Sequence, residues 1–141
     1  MAEAIFRDLA SQHFQCSPEK LWDHNVDVLS AGIAASDSQP ASANAVKVLK
    51  ERGIDLTQHL SQQLDETMLE ASDVVLTMTG DHKYVIEQAR PDLSTKIRLL
   101  CRSNRNVIDP IGGSLEDYGL CADMITECLN DVLSEYLKKD A

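Results

Sequence analysis

Apolar residues at Ala2, Ile5, Phe6, Leu9 and Ala10 recur at three- and four-residue intervals, so the chain opens directly in an amphipathic helix. V-D-V-L-S-A at 26–31, closed by Gly32, predicts a short strand. Ser-Gln-Pro-Ala at 38–41 opens a second helix, with Ala43, Val46, Val48 and Leu49 mostly on its buried side. That helix should end at Arg52-Gly53, because glycine suits the position just past a helix C-terminus. Asp65-Glu66-Thr67 starts a short helix running through Glu70. Val74-Val75-Leu76-Thr77-Met78, bounded by turn signals, reads as a strand buried on both faces. A helix from about Asp81 to Ala89 should follow, stopped by Pro91, and Ile97 to Leu100 gives a third strand. After a loop at Asp109-Pro110-Ile111-Gly112-Gly113, the last helix has the clearest period: Tyr118, Cys121, Ala122, Ile125, Leu129, Val132, Leu133 and Tyr136.

Strands alternating with helices imply an α/β fold with a parallel sheet covered on both faces. Such folds normally begin with a strand, since an anion site sits at the first strand-to-helix turn. This pattern begins with the helix and offers only three strands, so it predicts that a strand is missing in front of Met1. No repeat, low-complexity tract or long linker interrupts the 141 residues, which fit one domain spanning 1–141.

Composition narrows the partners. A net charge of −10 argues against nucleic-acid binding, which needs clustered Lys and Arg. The longest apolar run is too short to cross a membrane, and the N-terminus lacks the basic-then-apolar pattern of a signal peptide. A cytoplasmic address is the expectation. Four cysteines (Cys16, Cys101, Cys121, Cys128) show no C-x-x-C spacing, and the length demands no staples. Cys121 and Cys128, seven apart on one helix, are expected to pack in the core as small apolar groups, with no metal and no cofactor. Asp109 stands before Pro110 in a glycine-containing loop between a buried strand and a helix. A loop there could deliver a carboxyl to a leaving group, making Asp109 a candidate general acid; a turn-initiating Asp-Pro is the commoner meaning of the dipeptide.

The joint pattern shifts that balance. Met1-Ala2-Glu3-Ala4 is similar to the segment that directly follows the phosphate loop C-x-x-x-x-x-R-S-P in low-molecular-weight protein tyrosine phosphatases. Ser30-Ala31-Gly32, Arg52-Gly53-Ile54-Asp55-Leu56 with His59, Asp73 to Thr79 with His82-Lys83, and Val107-Ile108-Asp109-Pro110 with Gly112-Gly113 resemble further family blocks, in the family's order. The resemblance covers essentially the whole chain and includes protein arginine phosphatase-like members. It implies a three-layer fold with strand order 2-1-3-4, of which the first, central strand is absent here. It also implies a cysteine thiolate that attacks phosphorus, an anion cradle of backbone N–H groups and arginine, and Asp109 as the acid that protonates the leaving group. The partner implied is a phosphorylated protein, once the loop is restored. Ser30 and His59 match positions that hydrogen-bond toward the phosphate loop and hold its shape.

The departure from the family is equally specific. Six residues after Cys16, Cys101, Cys121 and Cys128 stand Trp22, Val107, Glu127 and Ser134, so no cysteine begins a C-x5-R loop. Cys101-Arg102-Ser103 follows the predicted last strand, away from the phosphate-loop position, and its likeness to Cys-Arg-Ser is set aside as coincidence. The chain is therefore expected to be inactive as written, most simply because its start was placed too late. The alternatives are a non-catalytic binding protein of the same ancestry and an arsenate reductase, which uses the same fold but needs redox cysteines that no clear pair provides. Removing a central strand would leave buried backbone groups without partners, at about 1–3 kcal/mol each. The strands at 26–31 and 74–79 are therefore expected either to close the gap by pairing directly, the favoured outcome, or to leave an open slot. Between phosphotyrosine and phosphoarginine, Ile111 beside the D-P pair and His59-Leu60-Ser61 lean mildly away from tyrosine, but neither outweighs the larger membership of the tyrosine class.

Overall fold

The computed structural model describes residues 1–139. Helix α1 spans Ala2–Phe14 and buries Ile5, Phe6 and Ala10, three members of the predicted apolar stripe. It ends where Gln15 turns left-handed (φ 52°), with the Cys16 N–H closing onto the Ser11 carbonyl. A 3-10 turn, Pro18–His24, folds back onto α1 and seats the fully buried Leu21.

Helix α2 runs Ala43–Glu51, and its N-cap is Ser42, whose hydroxyl accepts from the Ala45 N–H at 3.3 Å. The expected start at 38–41 is thus too early: Ser38 sits at φ 61° and Pro40 bridges Leu60. The expected stop holds, with Gly53 at φ 77°, a conformation glycine adopts without steric cost. Helix α3 is Glu66–Ala71, capped by the Asp65 carboxylate on the Met68 N–H at 2.8 Å. Helix α4 is Gly80–Ala89, capped by Thr79, and α5 is the 25-residue Leu115–Lys139.

Strands β1 (Val75–Thr77) and β2 (Ile97–Leu99) pair in parallel with Val75 opposite Ile97, Leu76 opposite Arg98 and Thr77 opposite Leu99. The sheet separates two apolar compartments. The larger holds Ile5 and Phe6 of α1, Val48 and Leu49 of α2, and Ile125 and Leu129 of α5, with Leu76 and Met78 packed against it. The smaller holds Leu69 of α3, Ile86 of α4 and Ile97 of β2, with Val75 against it. Residues 75, 76 and 78 thus divide between the two sides as the pleat requires.

Three strand expectations change. Residues 26–31 form no ladder; they run extended, with Val26 buried and Asp27, Leu29 and Ala31 exposed. Arg7 Nη2 donates to the Val28 carbonyl at 2.7 Å, taking the place of a strand neighbour. Direct pairing of 26–31 with 74–79 does not occur, and among the described residues β2 is the one strand beside β1. Nor is β1 buried on both faces: Val74 is exposed, Val75 and Leu76 are half-buried, and Thr77 alone is buried. The chain is an α/β protein with a small parallel sheet, and the four-strand order is not what this sheet displays.

Candidate functional site

The first turn of α1 is where the sequence-singled residues gather. Glu3 lies in that turn, where a carboxylate is favoured by the helix dipole. Ser30 Oγ donates to Glu3 Oε2 at 2.6 Å, and His59 Nδ1 stands 4.0 Å from the same oxygen. Arg7, one turn along, donates from Nε to Glu3 Oε1 at 3.3 Å while its Nη2 holds Val28. The extended run therefore delivers Ser30 to the helix end, and Gln62 Nε2 fixes the Ser30 carbonyl at 2.9 Å. His59 follows a turn in which its N–H meets the Leu56 carbonyl, and it borders an open cleft of about 770 Å³ shared with Glu3, Gln62, Asp65 and Met68. Two ladders of backbone bonds keep this side in place: Gly32 with Gln62 and Leu64, and Ser38 and Gln39 with Ser61. Glu3 was not singled out from the sequence. Its only sequence signal was the Glu3–Arg7 spacing of one helical turn, which is common on any solvated helix face.

Asp109 lies apart from that group, in the loop that leads to α5. It is exposed, and its Oδ1 accepts the Ile111 N–H at 3.0 Å, so the carboxylate shapes its own turn. The loop closes through the Gly113 N–H on the Pro110 carbonyl at 2.8 Å. Ser114 and Asp117 then cap α5 reciprocally: the Ser114 N–H donates to Asp117 Oδ2, and the Asp117 N–H donates to Ser114 Oγ. The turn reading and the candidate-acid reading of Asp109 are thus compatible, since one oxygen serves the turn and the group stays open to solvent. Ile108 and Ile111 flank it, 78% and 77% exposed, making an aliphatic rim.

Cys121 ties this loop to the start of α1. Its Sγ donates to the Ile108 carbonyl at 3.8 Å. Burial pushes the Cys121 thiol above its ordinary pKa; the Met1 ammonium pulls it down and the Asp109 carboxylate pushes it further up. Burial likewise lowers the Met1 amino group, with Glu3 and Cys121 opposing the shift. No hydrogen bond joins Asp109 to Ser30 or His59 among the described residues.

The cysteine expectations need one correction. Cys128 is buried as expected, but it is disulfide-bonded to Cys101, with Cα atoms 5.0 Å apart; Cys121 is half-buried and free. Spacing alone conceals this pair, because 27 residues separate its members and only the fold brings β2's end against α5. The bond also bears on Cys101-Arg102-Ser103. Cys101 carries no free thiol, and Arg102 pairs with Glu135 of α5, so the segment does not form an anion cradle. Among the described residues no cluster of His, Cys, Asp or Glu has the makings of a metal site, and no helix is long and apolar enough to cross a membrane.

Comparison with known proteins agrees with the geometry. The family model for low molecular weight phosphotyrosine protein phosphatase matches residues 1–141. A protein-arginine-phosphatase from Bacillus subtilis is 38% identical over 144 residues, covering 99% of this chain and 89% of the relative. A mutant of YwlE from Bacillus subtilis has a solved structure that superposes with a TM-score of 0.82 at 34% identity, covering 97% of this chain and 88% of that one. An arsenate reductase from Oceanobacillus iheyensis is 40% identical over a shorter stretch of 65 residues, 46% of this chain and 45% of the relative. With the family model matching along the whole chain, a relative 38% identical over nearly all of it, and the family's fold, the chain belongs to the low molecular weight phosphotyrosine protein phosphatase family.

Proposed function

We propose that this chain forms the acid-bearing scaffold of a phosphomonoesterase site for phosphorylated protein side chains, with phosphoarginine ahead of phosphotyrosine as substrate. The observation that carries this reading is the 38% identity, along nearly the whole chain, to a protein-arginine-phosphatase. The aliphatic Ile111 next to Asp109-Pro110 supports the same substrate order, since it offers no aromatic face for a phenyl ring to stack on.

In this mechanism a cysteine thiolate attacks phosphorus, the bond to the leaving nitrogen or oxygen breaks, and Asp109 protonates the departing atom. Asp109, now a carboxylate, takes a proton from the water that cleaves the phosphocysteine. A cysteine-to-serine mutant of YwlE arginine phosphatase carries a phosphorylated active-site serine, which supports a covalent route in that relative. Ser30 and His59 act through Glu3: they fix the first turn of α1, whose free N–H groups face the anion.

The nucleophile and the phosphate-binding arginine are not among these 141 residues, because no cysteine stands six positions before an arginine. They belong to a strand and a Cys-x5-Arg-Ser-Pro loop joined ahead of Met1, within one domain. Among the described residues β1 pairs with β2 alone, which supports this placement. The test compares the 141-residue chain with one extended by that segment. The first should hydrolyse neither p-nitrophenyl phosphate nor phosphoarginine peptides above buffer. The second should hydrolyse both, phosphoarginine faster than phosphotyrosine, and Asp109→Asn should slow it most when the leaving group is poor. Turnover by the 141-residue chain that disappears on replacing Cys101 would overturn the assignment. A folded but inert extended chain would favour a non-catalytic binding role, and thiol-dependent reduction of arsenate would favour the arsenate reductase reading.

A further inference from the structure

We propose that the Cys101–Cys128 disulfide is a thiol-exchange site for a small charged thiol, and that its redox state sets how firmly the Asp109 loop is held. A cleft of about 260 Å³, lined by Arg102, Ser103, Arg105, Glu127 and Asp131, opens over the two cysteines, which are 2% and 4% exposed, so exchange requires the cleft wall to part locally. That volume is the scale of a small molecule rather than of a folded reductase. Its charges are mixed. Arg105 is held to Ser103 Oγ at 2.8 Å and lies 3.5 Å from Glu127, and Arg102 pairs with Glu135. Two guanidinium groups with two carboxylates in one cleft match a thiol that carries both carboxylate and ammonium groups, as a cysteine-containing peptide does. The guanidinium groups also favour the thiolate form on either side of the exchange.

The chemistry is a two-step exchange. A thiolate from the small thiol attacks one protein sulfur, the S–S bond breaks, and the other cysteine leaves as a thiolate and is protonated, giving a mixed disulfide. A second small thiolate attacks the outer sulfur of that adduct, releasing the small disulfide and the second protein thiol. The protein gains two electrons and the two small thiols lose them. In the reducing compartment expected from the sequence, a disulfide of this kind is a redox device rather than a permanent staple.

The coupling to the loop is geometric. Cys101 begins the segment that leads from β2 to Asp109, and Cys128 lies on α5 two helical turns beyond Cys121. The disulfide pins the start of that segment to α5, and Cys121 holds its end through the Ile108 carbonyl. Between them, Asn106 Oδ1 accepts the Gly80 N–H at 2.9 Å, and the Val107 N–H bonds the Met78 carbonyl at 2.7 Å. Opening the disulfide removes the covalent attachment to α5 and leaves the exposed Arg102–Glu135 and Arg105–Glu127 pairs and the Cys121 contact to hold the segment.

The oxidised 141-residue chain is incubated with reduced glutathione as the probe, quenched with acid and mapped by mass spectrometry. An adduct should form on Cys101 or Cys128 under native conditions, with the other cysteine free. Arg105→Ala should slow glutathione attack by about three- to tenfold while leaving attack by uncharged 2-mercaptoethanol unchanged. Hydrogen exchange by local opening should be about tenfold faster across residues 102–111 of the fully reduced chain, read separately from the core amides of α1, which follow the global loss of stability. A disulfide that opens only in denaturant, or equal slowing of both thiols, would overturn the exchange site. Identical exchange of 102–111 in both redox states would overturn the coupling. Reversible reduction probes the bond without the folding risk of replacing a buried cysteine.

Discussion

Truncating Glu3 to alanine tests whether the helix end is organised around that carboxylate. Glu3 accepts Ser30 Oγ at 2.6 Å and Arg7 Nε at 3.3 Å, with its side chain 18% exposed. A hydrogen bond to a charged group contributes about 1.5–3 kcal/mol net, and the short Ser30 bond belongs in that range. The Arg7 pair is a third exposed and adds only about 0.3–0.5 kcal/mol after solvent screening. Arg7 also keeps the Val28 carbonyl as a partner, so no buried charge is stranded. The total for Glu3→Ala is about 2–3 kcal/mol. With a urea slope of about 2 kcal/mol per molar, the midpoint should fall by about 1–1.5 M at unchanged slope. Glu3→Gln keeps an acceptor for Ser30 without the charge and should lose about half as much. A double-mutant cycle with Ser30→Ala should return a coupling of about 1.5–3 kcal/mol. A midpoint for Glu3→Ala within about 0.2 M of the parent, or a coupling of zero, would refute the idea that Ser30 acts through Glu3.

Three further outcomes are expected. Stability should rise with pH up to 8.0: burial lowers the folded-state pKa of the Met1 amino group below that value, so the unfolded chain binds more protons across the window between them. It should fall again above 9.0, where the unfolded Cys121 thiol ionises before the folded one; acetylating the amino terminus should abolish the rising limb, and a steady decline from pH 7 would contradict the sign. Gly113→Ala places a Cβ 2.7 Å from Asp117 Oδ2 and 2.8 Å from the Pro110 carbonyl, and since that backbone atom yields poorly the cost should be about 1–3 kcal/mol, read as a melting temperature lower by about 3–9 °C. Reducing Cys101–Cys128, which closes a span of 27 residues, should lower unfolding free energy by about 3.5 kcal/mol in the chain-entropy account, and a loss under about 1 kcal/mol in denaturant titrations would count against it.

What the sequence disclosed was local. The α5 stripe, the Asp65 cap, the Gly53 stop and the ends of α4 each depend on residues within a turn of one another, and each stands as read. Strand 26–31 was misread because its composition favours an extended run, which it adopts, while a ladder also needs a neighbour that local pattern cannot supply. The burial of β1 was overstated for the same reason: an apolar run reports what a strand can bury, and Val74 stays exposed where no neighbour covers it. At the site, motif order singled out Ser30 and His59, which the fold brings beside Glu3, yet Glu3 itself looked like any acid in a first turn. The 101–128 disulfide was hidden because loop and helix meet only after folding.

The partition made by the short sheet has a consequence for how the molecule comes apart. One compartment contains most of α1, α2 and α5; the other rests on Leu69, Ile86 and Ile97. Three buried side chains protect little area, so the α3–α4 side should open alone, at a free energy well below that of global unfolding, while α5 amides wait for the whole chain to melt. Limited proteolysis should accordingly nick between residues 64 and 96 first and leave the long helix as a resistant fragment, still bound to its partners. The residues from 100 to 107 belong to the durable half, since Leu100, Cys101 and Val107 are buried in the larger compartment. Asp109 therefore keeps its backbone anchor when the α3–α4 side has already opened.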